Sequence, residues 1–423
     1  MRLIILLLAL LALPLHAAEL RSARPTSQGL SAERLERIDA LAERYVEEGR
    51  LAGVHVQVNR GGRIVHEALV GTMGADDPRP LPKDAIWRIY SMSKPITAVA
   101  ALMLYEEGAF QLTDPITRFL PEMANLQVHT PDGLVPVTAP PTIQQLMTHT
   151  AGFGYVFTQH PSDAAIRDAQ VFSSPDMDTF VARIAAIPLV DQPGERWFYS
   201  VASALLGAVV ERASGMPFDA FLRTRLFEPL DMRDTFFRVP EDKRDRLVTN
   251  HSYDRDAQRL VPHRGETLTL GPEGMPFPAG GEGLFSTTRD YMRFAEMLRA
   301  GGELDGARIL SPKTIEFMAS DHLKVSANGS GEAPRLSLGN LYPGGFGFGL
   351  GVGVIDSPQA LGVLASAGEY SWGGAAGTVF WVDPVEDLVV VGMIQLMRSP
   401  WPLRNELRVL TNSALTTTAA SAR

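Results

Sequence analysis

Strand-like sequence lies at both ends of this chain and helical sequence fills the middle, an order that few folds accommodate. Near the N-terminus Val54, Val56 and Val58 alternate with polar residues, Asn59 to Gly62 turn, and Ile64 to Val70 return, which is the pattern of an antiparallel hairpin. Ile86 to Ile89 add a short strand that leads into Ser91. Strand patterns return after Gly344, in Phe346 to Ile355, Leu361 to Ala367, Gly377 to Val382 and Leu388 to Ile394. One sheet built from both termini, with the helical region inserted, joins the two groups and predicts an α+β protein.

The helical signals agree. Ser31 caps a helix to Glu48 that is apolar at Leu35, Ile38, Leu41, Ala42 and Tyr45 and closes at Gly49. From Ser91 to about residue 330, helix starts stand at Thr113-Asp114-Pro115, at Thr142 to Gln145 (a capping box), at Ser200, at Thr287 and at Ser311-Pro312. Gly152, Gly215 and Gly301 are the matching stops, and a last helix runs from about Pro402 to Leu415. Links around 121–141, 250–282 and 321–345 exceed the usual loop length and are expected to border a cleft or an insertion. The division expected is a discontinuous sheet domain, 19–90 with 340–423, and a mainly helical domain, 91–339.

Residues 3–15 are an apolar run behind Arg2, followed by His16-Ala17-Ala18, and predict a signal peptide over 1–18. The run is too short to span a bilayer, where about 20 residues are needed, so a periplasmic or secreted protein without a membrane span in its mature form is expected. The chain has no cysteine, which excludes disulfides, thiolate metal sites, a cysteine nucleophile and thiol lipidation. A net charge of −9 argues against nucleic acid or anionic membrane as the partner. The histidines show no H-E-x-x-H pairing, and neither metal nor cofactor is expected. His149, between Thr148 and Thr150, reads as a hydrogen-bonded structural residue, and no G-x-S-x-G surrounds any serine.

Chemistry enters at Ser91-Met92-Ser93-Lys94. A lysine three residues after a serine shares its face of a helix, and burial can depress its pKa until it accepts the serine proton. Of the five lysines, Lys94 alone has a serine three residues before it. Pro95 is tolerated near a helix start, which puts Ser91 at the N-terminal end of an apolar helix, where backbone N–H groups favour an oxyanion. A second candidate is Tyr199, delivered by the Pro193-Gly194 turn to the head of the helix Val201 to Ala213, where its phenol and Lys94 could share one proton. The third is Tyr370-Ser371-Trp372-Gly373-Gly374-Ala375-Ala376-Gly377, whose glycines suit an edge strand that a ligand approaches. A backbone N–H there, paired with that of Ser91, would form an oxyanion hole. Tyr155, with Phe153, Phe157, Phe277 and Tyr370, is a candidate lining of the substrate pocket.

Taken in order, Ser91-x-x-Lys94, Tyr199-Ser200-Val201 and Trp372-Gly373-Gly374 resemble the motifs of the serine β-lactamase and penicillin-binding-protein superfamily. The resemblance is closest to class C β-lactamases and the family VIII carboxylesterases. It covers about residues 31 to 410 and includes the segments Thr142 to Gly152 and Leu205 to Gly215. It implies an antiparallel sheet from both termini flanked by helices, with an inserted helical domain and the site between. It further implies Ser91 as acylated nucleophile, Lys94 and Tyr199 as proton-transfer pair, and the N–H groups of Ser91 and Ala375 as oxyanion donors. Class C lactamases carry an asparagine where Val201 stands and Lys-Thr-Gly where Trp372-Gly373-Gly374 stands. Losing an amide and a cation leaves a more apolar pocket, suited to uncharged esters. A short-chain carboxylesterase is the expectation; a β-lactamase or D-alanyl-D-alanine carboxypeptidase is the enzymatic alternative, and a non-catalytic envelope binding protein the alternative of another kind.

Overall fold

The computed structural model describes residues 19–264, 270–324, 335–336 and 345–418. The expected leader, 1–18, lies outside them, as does most of the 321–345 link. Helix α1 (Ala32–Glu47) starts where the sequence predicts: the Ser31 hydroxyl accepts the N–H of Arg34, and Leu35, Ile38, Leu41, Ala42 and Tyr45 form its buried stripe. Strands β1 (Gly53–Arg60), β2 (Arg63–Gly74) and β3 (Asp77–Pro80) follow as an antiparallel meander. The short β4 (Trp87–Arg88) leads to helix α2 (Ser93–Glu106), against which α3 (Ala202–Ser214) packs. After β5 (Phe285–Ser286) comes α4 (Thr288–Arg299), capped by the Thr287 hydroxyl. The chain closes with β6 (Phe346–Phe348), β7 (Gly353–Ile355), β8 (Tyr370–Gly373), β9 (Val379–Asp383), β10 (Leu388–Met393) and helix α5 (Leu403–Ser413).

Both ends of the chain enter one eight-stranded antiparallel sheet, in the order β6-β7-β8-β9-β10-β1-β2-β3. The seam is β1 with β10, in a register that sets His55 opposite Met393 and Arg60 opposite Leu388. Side chains alternate across the pleat, so Val54, Val56, Val58, Leu388 and Val390 join the core beneath α1 and α5, while Val389, Val391 and Met393 join the larger core on the other face. Helix α4 covers that second face. It thereby buries His55 and Asn59, which alternation alone would leave in water, and the Thr288 hydroxyl meets His55 Nδ1 at 2.9 Å.

Some expectations need correction. Ile86 to Ile89 do not join the large sheet: β4 pairs with β5 in a two-stranded ribbon. Leu361 to Ala367 form no strand, because a short helix, Pro358–Leu361, capped by Ser357, ends at Gly362 with φ of 65° and the chain continues as loop. The 121–141 and 250–282 links carry hairpins of their own, Gln127–Thr130 with Gly133–Pro136 and His251–Asp254 with Arg259–Pro262. The capping box at Thr142 and Gln145 is present in full. Among the described residues no helix is long and apolar enough to cross a membrane.

Candidate active site

Ser91 sits in a strained turn. Leaving β4, the chain makes one 3-10 turn, Tyr90–Met92, before α2 begins at Ser93. Ser91 therefore precedes the helix that the sequence places it on, and Pro95 is that helix's third residue, where a missing N–H leaves no intrahelical bond unmade. Tyr90 adopts φ of 43°, a left-handed conformation that costs a non-glycine residue about 1–3 kcal/mol and persists only where its surroundings enforce it. They do: its ring is buried and its hydroxyl accepts a hydrogen bond from Asn250 Nδ2 at 3.0 Å. The turn is also tied down by Tyr291, whose hydroxyl donates to Met92 O at 2.9 Å.

Two side chains converge on Ser91 Oγ. The Tyr199 hydroxyl donates to it at 2.7 Å and Lys94 Nζ donates at 3.3 Å. Lys94 is 1% exposed; its ammonium also donates to Gly281 O at 2.7 Å and stands 4.7 Å from the ring centre of Tyr199 and 5.4 Å from that of Tyr155. Burial lowers the Lys94 pKa to about 8, against the opposing pull of the Glu282 charge. Burial pushes the Tyr199 phenol up, so it holds its proton at neutral pH. Of the two, Lys94 titrates nearer neutrality. His149 packs its ring 4.9 Å from that of Tyr199, and its Nδ1 takes the N–H of Ser200 at 3.3 Å. Burial, and the Lys94 charge after it, hold His149 neutral, in the structural role expected of it.

The third element lies across from the serine. After Gly373 a turn closes with the Gly377 N–H on Gly374 O at 3.0 Å. Gly374 has to be glycine: a Cβ there would stand 2.5 Å from Ile89 O and 2.3 Å from Thr378 Oγ1. That close approach sets Ala375 beside the serine turn, packed in one cluster with Tyr90. β8 is not the sheet edge that its glycines suggest, because β7 and β6 lie beyond it. β7 pairs with Tyr370 and Ser371 of β8. Arg404, on α5, covers Gly373 and donates to Gly374 O at 2.5 Å.

The remaining candidates divide. Trp372 is 8% exposed, with its ring 5.7 Å from Tyr199 and 5.2 Å from Phe348. Val201 is 1% exposed, packed into the main core, with its N–H on Gly154 O. Tyr155 directs its hydroxyl to Glu282 Oε2 at 3.0 Å. Phe157 is the exposed aromatic of the group, stacked 6.3 Å from Tyr199. Glu282, Gly281 and Arg404 escaped the sequence reading. The signal for the first was a single carboxylate inside Gly280-Gly281-Glu282-Gly283, an unusual place for a charge.

A large antiparallel sheet from both chain ends, flanked by helices, with a serine, a buried lysine and a tyrosine in hydrogen-bond contact, defines a serine hydrolase on the β-lactamase and penicillin-binding-protein fold. A family model described as Beta-lactamase matches residues 38–413, and the chain belongs to that family. Esterase EstB of Burkholderia gladioli is 32% identical over 384 residues, covering 87% of this chain and 92% of EstB. Protein Rv1367c of Mycobacterium tuberculosis is 34% identical over 360 residues, covering 82% of this chain and 86% of that protein. The solved structure of EstCE1, described as a hydrolase with promiscuous acyltransferase activity, matches with a TM-score of 0.74 and 25% identity over 91% of this chain and 98% of its own.

Proposed function

We propose that the protein is a carboxylesterase that hydrolyses short-chain acyl esters through an acyl-enzyme on Ser91. The observation that carries this reading is the convergence of Tyr199 and Lys94 on Ser91 Oγ, at 2.7 and 3.3 Å. The similarity to EstB supports the ester as substrate. So does the sequence resemblance, in which Val201 and Trp372 replace the asparagine and the lysine of class C β-lactamases.

In this reading neutral Lys94 takes the Ser91 proton while Oγ bonds to the ester carbonyl carbon, and the oxyanion is met by the N–H groups of Ser91 and Ala375. The intermediate collapses with cleavage of the bond to the alcohol oxygen, which receives a proton through the Tyr199 hydroxyl, itself resupplied by Lys94. Water then attacks the acyl carbon, gives its proton to the same pair, and Ser91 leaves protonated as the free acid departs. The 1–18 sequence supports export to the periplasm or beyond, and N-terminal sequencing of the mature protein tests it.

Ser91→Ala is expected to lose turnover of p-nitrophenyl butyrate by at least about 10³-fold while its thermal midpoint stays within a few degrees of the parent. Full activity in that variant would overturn the mechanism. A kcat/KM on a cephalosporin or a D-Ala-D-Ala peptide above that on the ester would move the assignment to the lactamase or peptidase branch.

A further inference from the structure

Gly373 and Gly374 lack side chains for different reasons. Gly374 leaves room for Ile89, whereas a Cβ on Gly373 would stand 2.5 Å from Arg404 Nη1 and 2.7 Å from its Cζ, so the guanidinium lies directly on that backbone. From there Arg404 Nη2 donates to Gly374 O at 2.5 Å. The same oxygen accepts the Gly377 N–H at 3.0 Å, and the carbonyls of Ala375 and Ala376 accept the N–H groups of Arg398 and Leu396 at 3.2 and 2.9 Å. Three successive carbonyls of the turn are held, the first of them by a charge.

The helix that carries Arg404 does not explain it. Arg404 is the second residue of α5, where the helix macrodipole favours an anion such as Glu406, so the cation stands against local preference. Its partner lies on the turn instead. Gly374 O and the Ala375 N–H belong to one peptide unit, and among the described residues no peptide bond is cis. In a planar trans unit the carbonyl and the N–H point in opposite directions, so whatever fixes the oxygen also aims the donor. A cationic donor on the oxygen further polarises the unit and strengthens its N–H as a donor. We propose that Arg404 is a positioning residue of the oxyanion hole, clamping and polarising the Gly374–Ala375 peptide whose N–H meets the oxyanion. The inference rests on the esterase reading and extends its machinery to α5. Burial dominates at the Tyr199 phenol, but the Arg404 charge acts on it in the opposite sense, and the experiment has to separate that route.

The test uses Arg404→Met, which keeps an aliphatic stem and removes the donor. With p-nitrophenyl butyrate, kcat and kcat/KM are expected to fall together by about 10- to 100-fold, less than for outright loss of an oxyanion donor, with KM within about twofold of the parent. The thermal midpoint should stay within a few degrees. Ethyl butyrate should lose the same factor. A p-nitrophenolate leaves without a proton and an ethoxide does not, so a loss confined to the ethyl ester would assign the effect to Tyr199 and overturn the proposal. Gly373→Ala pushes the guanidinium aside and should cost a similar factor in the parent, but almost nothing further in Arg404→Met. Arg404→Lys, which brings a charged donor of its own, should fall between the parent and Arg404→Met, and it carries the comparison if the methionine variant does not fold. A kcat within about twofold of the parent in the folded variants, a loss borne by KM alone, or additive losses in the Gly373→Ala, Arg404→Met double variant would also overturn the proposal. No turnover of any ester by the parent sinks the esterase reading, and this inference with it.

Discussion

At the scale of single residues, the proposed chemistry depends on how far burial moves two protons. Lys94, lowered to about 8, is largely protonated at pH 7 and gains its base form as pH rises. The kcat/KM profile is therefore expected to climb through a limb near pH 8. The Glu282 carboxylate raises the Lys94 pKa, so Glu282→Gln should move that limb to lower pH, measurable as a shift in the half-maximal point. Lys94→Met and Tyr199→Phe should each lower kcat by about 10²- to 10⁴-fold, the usual range for a lost proton-transfer group. That these two side chains would meet Ser91 was suggested by spacing, because serine, lysine and aromatic each stand near a helix start marked by Pro or Gly. Glu282 was not, since its importance comes from being packed against Tyr155, more than 100 residues away in the chain.

At the scale of elements, the turn proposed to receive the oxyanion is held by contact between backbones. Gly374→Ala would drive a methyl into Ile89 O and displace the Ala375 N–H. Activity should fall by about 10²- to 10³-fold, as for loss of one oxyanion donor, with circular dichroism unchanged. Caps, hairpin and apolar stripes were readable because their causes are local: Ser31, Thr142 and Thr287 accept the N–H groups that their positions predict. The failures were tertiary. Trp87 and Arg88 looked like a sheet strand but found Phe285 and Ser286, and Leu361 lost its strand to a helix capped by Ser357. Alternation in β1 suggested one wet face, and α4, more than 200 residues on, covers His55 and Asn59 there.

At the scale of the whole molecule, buried carboxyl groups set a pH dependence of stability. Burial raises Glu369, which is 0% exposed, to about 7, against the pull of Arg408. Because the folded pKa lies above the unfolded one, the native state binds the extra proton. This contribution is full below about pH 4.5 and is lost as pH rises through 7. Buried histidines with lowered pKa, such as His149 and His251, act in the opposite direction up to about pH 6.5, so the Glu369 effect is isolated by difference. Glu369→Gln should gain stability relative to the parent between pH 5 and 8, by on the order of 3 kcal/mol, in urea unfolding at the two pH values. The seam of β1 with β10 also bears on biosynthesis. A nascent chain that has emerged only through Tyr199 already holds Ser91, Lys94 and Tyr199, but it lacks β10 to close the sheet and the Ala375 turn to receive an oxyanion. If the proposed mechanism holds, reactivity begins only with completion of the chain, and a chain cut short before β10 is expected to be inert toward esters.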